Sequence, residues 1–378
     1  MTLIQEPNAG ERLVKYVGDL LDIELKGLPR NAVQAFVRTD FGCMDDKRRA
    51  IVAKIEDGRA DCACGWHDVE MAREAGRASA RFALSEVGVF EFKAYAVMAD
   101  GRREWVPGAN LRVKVEPALT IAANTIYNAF IRQFGPNISG GGRSEDALSA
   151  ERFLSEKGYT VIPPSGTFAS FREKLEFIVD HLGFRIVMFL PVHPVPTSYA
   201  RMGRFGSAFA SLDFYTVDAS MAVFDRFETP LGQFMKVIDD IHSRHALAFI
   251  DLPFDHTGWA STLQLLHPEL FKKNDDGSFQ SPGAWGVCWE DLCKLDFSDK
   301  RLWREMADVL LHWCRLGVDG FRCDAGYMVP AEAWEYITAK TRLQYPDTIF
   351  LLEGLGGSVD VTRSLLENGS MNWAYSES

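Results

Sequence analysis

The 378-residue chain carries 41 Lys and Arg against 52 Asp and Glu, a formal net charge of −11. Such an acidic balance argues against a nucleic-acid or anionic-membrane partner and suits an enzyme acting on a neutral or cationic ligand. The length exceeds one typical domain, so two are expected. Seven cysteines, an odd number spread over both halves, do not form a disulfide framework and are expected as reduced thiols. Cys62 and Cys64 could join Cys43, but no fourth ligand stands at zinc-like spacing, and no metal site is expected there. The amino terminus lacks a basic segment followed by an apolar one, and no apolar run approaches membrane length, so a cytoplasmic protein is expected.

From residue 11 to about 117 the dominant period is two, as in Leu21 to Lys26, Phe90 to Tyr95 and Leu111 to Glu116. This predicts half-buried antiparallel strands. Asp100-Gly101 reads as a hairpin turn, and without long helical patterns the segment is expected to be an immunoglobulin-like β-sandwich over residues 1–120. Trp66 and Trp105 are expected in the sandwich core or at a domain interface, with sugar-stacking platforms as the alternative.

After Pro117 the pattern changes to alternating strands and helices. Thr125 to Arg132 reads as a strand, and Ser139 to Arg143 as flexible punctuation without the ending of a phosphate-binding loop. A helix follows from about Thr167, striped by Phe168, Phe171, Leu175, Ile178 and Leu182. Then come the strand Ile186 to Leu190, a helix opened by Thr229-Pro230, and the strand Ala246 to Asp251. A loop rich in Trp259, Trp285 and Trp289 leads to a helix capped at Asp299 and ended by Gly317. The run Leu316 to Asp324, a helix begun by Pro330, the strand Thr348 to Glu353, a weaker helix near Val361 to Leu366 and a short strand at Asn372 to Tyr375 complete the series. Such alternation predicts a parallel sheet of (β/α)8-barrel type over residues 121–378, with its site at the carboxyl ends of the strands. Six strands and five helices fall short of eight units, so an open sheet or an incomplete barrel is expected.

Three strands end in acids: Asp251 with Asp255 and His256 close behind, Asp324 with Arg322 two residues earlier, and Glu353. Arg322 and Asp324 share a side of their strand, so the cation can hold the carboxylate ionised and oriented. Alone, each group is equally consistent with helix capping or ion pairing. As a series at strand ends they point to carboxylate chemistry.

Together these residues resemble the α-amylase superfamily, glycoside hydrolase family 13. Asp251-Leu252-Pro253-Phe254-Asp255-His256 is similar to its Asp-x-x-x-Asn-His pattern, and Gly320-Phe321-Arg322-Cys323-Asp324 to Gly-x-Arg-x-Asp. Glu353 stands at the fifth-strand position, Leu295 to Ser298 resembles a smaller family segment, and Phe209 with Asp213 resembles the aromatic-and-acid motif after the second strand. The resemblance covers roughly residues 122 to 378 and implies retaining hydrolysis or transfer at α-1,4-glucosidic bonds, with glycogen debranching and 4-α-glucanotransferase types among the activities it implies. Asp324 would be the nucleophile, Glu353 the general acid/base and Arg322 their orienting cation. His256, Asp251, Phe209 and Asp213 would serve substrate binding, with Asp251 supporting the network rather than reacting. Trp259, Trp285 or Trp289 would stack on sugar faces.

The implied partner is an α-glucan or maltooligosaccharide, with no nucleic acid, no membrane and no cofactor. Asp255 replaces the usual Asn and Met328 a frequent His, and nothing in these residues supports a calcium site. The family's last motif, a His-Asp pair after the seventh strand, has no counterpart before Ser378. A noncatalytic glucan-binding protein, or an inactive fragment of such an enzyme, is the alternative.

Overall fold

The structure is a computed structural model. It describes residues 2–59, 65–122, 125–135, 145–158, 165–196, 206–354, 359–367 and 370–375. The chain divides into two compact units, one of Met1–Ile121 with Arg342–Asp347, the other of Ala122–Thr341 with Thr348–Ser378. Cys62 and Cys64, and the Gly-rich stretch Ser139 to Arg143, lie outside the described residues.

In the first unit, one sheet runs in the order Ile4–Glu6, Leu20–Lys26, Arg77–Ala83, Ala72–Glu74. The second runs Arg12–Tyr16, Leu111–Glu116, Gly88–Met98, Ala32–Thr39, His67–Glu70, with Arg103–Trp105 beside Gly88–Met98. Period-two alternation explains the layering. Leu21, Ile23 and Leu25 of the first sheet and Val37, Phe90, Phe92, Ala94 and Val113 of the second join one buried cluster, while their sequence neighbours face outward. The hairpin turns at Gly101, whose φ of 82° suits glycine.

Two expectations fail in this unit. The helix Met44–Glu56 was not foreseen, because it has almost no apolar stripe: of its residues only Arg48 is buried. It draws instead on good helix formers and on the pairs Asp45–Arg48 and Asp46–Arg49, each 3.2 Å. Nor do Trp66 and Trp105 sit in the sandwich core. They are 43% and 39% exposed.

In the second unit the strands β1 (Ile126–Ala129), β2 (Ile186–Phe189), β3 (Leu247–Pro253), β4 (Gly320–Asp324), β5 (Ile349–Glu353) and β6 (Trp373–Tyr375) pair in chain order. All five pairings are parallel. The helices Pro230–Ser243, Lys300–Arg315, Ala331–Gln344 and Val359–Glu367 fall where the sequence placed them. Thr229 and Asp299 cap the first two through their side chains. The segment after Thr167 is broken, a short helix Phe168–Arg172 followed by a wider turn Glu176–His181. A further helix, Glu145–Glu156, was not foreseen.

The first strand is shorter than expected, since Ile131–Gln133 turns as a 3-10 helix and buried Arg132 pairs with Asp218 at 2.7 Å. On one face of the sheet, Ile186, Met188, Phe249, Ile349 and Leu351 form a buried layer, with Ile126, Leu247, Trp373 and Tyr375 packed against it. Gly320 completes that layer by having no side chain: a Cβ there would lie 2.5 Å from the Phe249 ring. Side chains alternate, so the next residues on this face are Asp251, Arg322, Glu353 and Tyr375, stacked above an apolar floor.

Candidate active site

Register carries the acids to one place. Asp251 pairs with Arg322 across β3 and β4, and Glu353 with Tyr375 across β5 and β6. The Arg322 guanidinium is the hub. Its Nη1 donates to Asp251 Oδ1 and Oδ2 at 2.8 and 2.9 Å and to Asp324 Oδ1 at 2.5 Å, while its Nη2 donates to Glu353 Oε1 at 2.8 Å. Its Nε donates to the Tyr375 hydroxyl at 2.7 Å, and its carbon lies 5.7 and 5.6 Å from the ring centres of Phe209 and Tyr375. Two rings and three carboxylates thus fix one cation.

The backbone adds one more tether. Ala325, directly after Asp324, adopts a left-handed conformation at φ 51°, and its N–H donates to Glu353 Oε2 at 2.6 Å. Left-handed backbone costs an alanine about 1–2 kcal/mol, so the surrounding contacts must hold it.

The charges of the cluster act on one another. Burial pulls Arg322 down, but the neighbouring carboxylates outweigh it and hold the guanidinium above its ordinary range. Burial raises Asp251 and Asp324, with Arg322 opposing it in both. Glu353 is also raised, by burial first and then by the negative charge of Asp324.

His256 begins the short strand His256–Gly258, which pairs with Leu292–Lys294. Burial pushes its imidazole down to about 4, so it is neutral near pH 7, and its Nε2 lies 3.8 Å from Asp324 Oδ2. Gly258 lets the Phe209 loop approach: its N–H donates to Ser211 O at 2.9 Å, and a Cβ there would sit 2.5 Å from Ala210 O. Asp255 is buried, with Oδ2 4.0 Å from Lys294 Nζ, and burial raises its carboxyl to about 7.

A cavity of about 210 Å³ opens onto the cluster, lined by Phe209, His256, Trp285, Trp289, Asp324 and Glu353 among others. Two expected binding residues are elsewhere. Asp213 is spent on a turn, accepting from Tyr215 N at 2.8 Å and Thr262 Oγ1 at 3.1 Å. The Trp259 indole donates to Glu290 O at 2.8 Å, and the residue does not line the cavity. Sequence reading overlooked Tyr375 and Tyr327. Tyr375 was legible, because it alternates with Trp373 on the strand beside Glu353. Tyr327 follows a left-handed residue that no side-chain pattern announces.

No family model matches the chain. Among curated proteins it is similar to the α-1,4-glucan:maltose-1-phosphate maltosyltransferase of Cereibacter sphaeroides, 29% identical over 202 residues, which is 50% of this chain and 33% of that protein. It is also similar to the enzyme of that name from Corynebacterium pseudotuberculosis, 24% identical over 336 residues, 82% of this chain and 47% of the relative. The chain therefore spans between a third and a half of the length of these two relatives. Among solved structures, one titled a family GH13_31 enzyme matches with a TM-score of 0.50 at 14% identity, covering 68% of this chain and 51% of that one, a likeness of fold alone. These sequence relatives bear out the resemblance to the α-amylase superfamily, glycoside hydrolase family 13, and the solved-structure likeness adds the fold.

Proposed function

We propose that the chain is the catalytic part of a retaining α-1,4-glucan-active enzyme that transfers or hydrolyses glucosyl units. The observation that carries this reading is the Arg322 guanidinium touching Asp251, Asp324 and Glu353 at 2.5–2.9 Å beneath an aromatic-lined cavity. A binding module has no use for two buried carboxyls sharing one guanidinium on adjacent strand ends.

In this reading Asp324 attacks the anomeric carbon, forming a glycosyl ester as the glycosidic bond breaks. Glu353 gives its proton to the leaving oxygen and then takes one from the incoming acceptor, whose oxygen displaces Asp324. Arg322 keeps Asp324 ionised, Asp251 anchors Arg322, and neutral His256 hydrogen-bonds a sugar hydroxyl. Phe209, Trp285 and Trp289 stack on sugar faces. The names of the relatives favour a sugar hydroxyl over water as acceptor and maltose 1-phosphate as a donor. The alternation of strands and helices supports a partial (β/α)8 barrel for residues 121–378, and the two packed sheets of residues 1–120 support an immunoglobulin-like sandwich.

The test is chromatography of products from maltoheptaose, with and without α-maltose 1-phosphate, using this chain and Asp324→Asn. Products longer than the substrate mean transfer and shorter ones alone mean hydrolysis, both abolished in the variant. A folded chain that makes no product with either donor would sink the catalytic reading and leave a glucan-binding protein or inactive fragment.

A further inference from the structure

The second sheet of the amino-terminal unit has an outward face that period-two alternation should make polar, yet it carries large aromatics. Phe36 of Ala32–Thr39 pairs with Tyr95 of Gly88–Met98, their rings stacked at 5.5 Å, and Tyr95 pairs in turn with Trp105, whose ring lies 4.4 Å away. None of the three belongs to the buried cluster between the sheets. Beside them runs a polar row set by register: Asp68 opposite Arg38, and Arg38 opposite Lys93. Trp66 lies two residues before Asp68, and Asn110 directly precedes the strand Leu111–Glu116.

These residues enclose a groove of about 360 Å³ lined by Arg38, Trp66, Lys93, Trp105 and Asn110. The polar groups are held in place. Arg38 pairs with Asp68 at 3.4 Å, Lys93 donates to the Gly108 carbonyl, and Asn110 donates to Glu91 at 2.6 Å.

We infer that this groove is a second α-glucan binding site, separate from the cleft at Asp324, with Trp66 and Trp105 as stacking platforms. A glucose ring presents C–H faces that suit an indole and an equatorial rim of hydroxyls that suits fixed donors. The groove supplies both. Its polar lining, Arg38, Lys93 and Asn110, is made of hydrogen-bond donors, with the Arg38 charge balanced by Asp68, which favours a neutral ligand of exposed oxygens. The choice of α-glucan among such ligands rests on the function proposed for the cleft, since a polymer can be held at one site and processed at another.

The test uses the full chain carrying Asp324→Asn, so that ligand is not consumed, with nitrogen-15 indole labels assigned through Trp66→Phe and Trp105→Phe. Adding maltoheptaose is expected to shift both indole signals saturably. On the parent chain, Trp66→Ala with Trp105→Ala should weaken glycogen retention in native gels by about tenfold or more, since loss of even one stacked ring of roughly 1.4 kcal/mol implies tenfold. Turnover of maltotriose should be unchanged. Indole signals that stay fixed at saturating glucan, or a double variant that binds glycogen as the parent does, would overturn the inference. So would a concentration-dependent mass lost in Trp105→Ala, which would make the groove an interface between copies. Shifting indoles in a chain without turnover would count against the cleft and leave the groove; turnover with fixed indoles would do the reverse.

Discussion

Glu353 accepts a 2.6 Å hydrogen bond from the backbone N–H of Ala325, the residue that follows Asp324. The proposed acid is therefore tied to the strand end that carries the proposed nucleophile, and the Arg322 fork ties them a second time. A proton donor acting on the oxygen one bond away from the carbon under attack must be held at a fixed separation from the nucleophile, and a shared tether supplies it.

Glu353→Gln removes the proton donor and keeps the shape, leaving one acceptor oxygen where the carboxyl offers two, to Arg322 and to Ala325. Turnover of maltoheptaose should fall about a hundred- to ten-thousandfold. Because the Glu353 carboxyl is raised, the parent should lose activity on the alkaline side above the ordinary glutamate range, and this limb should vanish in the variant. An alkaline limb that survives in a pH–rate profile would assign the acid elsewhere.

Arg322→Met deletes the cation shared by three carboxylates, all largely buried. Breaking a buried ionic cluster costs about 3–5 kcal/mol, and urea unfolding at neutral pH should show that loss along with loss of turnover. A variant as stable as the parent would mean that the carboxyls have taken up protons.

Tyr375→Phe removes one hydroxyl that accepts from Arg322 Nε and leaves the ring beneath the guanidinium. Stability should drop by about 1 kcal/mol. The turnover number should fall several-fold with little change in KM, since the ring lies behind the cation rather than in the cavity lining. An unchanged turnover number would make Tyr375 part of the scaffold only.

Asp255 and His256 pull the pH profile of stability in opposite directions. Asp255, raised to about 7 from 3.8, holds its proton longer when folded, so its contribution is full below 3.8 and is lost as pH rises through 7. His256, lowered to about 4 from 6.5, is most favourable above 6.5 and loses stability as pH falls towards 4. Asp255→Asn should therefore be more stable than the parent at pH 8 by up to about 4 kcal/mol. Below pH 6.5 it should show the histidine's acid loss without compensation. Melting curves at pH 5, 6.5 and 8 test this, and parallel profiles for parent and variant would remove Asp255 from the account.

The sequence by itself determined the six parallel strands, their order and the helices between most of them. Each rests on local signals: apolar runs, caps such as Thr229 and Asp299, and the stop at Gly317. It also determined that Arg322 and Asp324 share one side of their strand, by alternation, while the register that brings Asp251 and Glu353 to the same face belongs to the folded sheet. It missed the helix Met44–Glu56, whose surface lacks an apolar stripe, and it left Trp66 and Trp105 between the sandwich core, a domain interface and an exposed platform, because hydrophobicity alone does not say which face of a strand is covered. Only the tertiary structure decided which aromatics reach the cleft, separating Trp285 and Trp289 from Trp259, and it took Asp213 away to a turn. Those residues sit on long loops, where position is set by distant partners such as the Ser211–Gly258 hydrogen bond rather than by neighbours in sequence. The left-handed turn at Ala325, which aims an N–H at Glu353, was likewise invisible, because an alanine adopts it only when packing from both sides compels it.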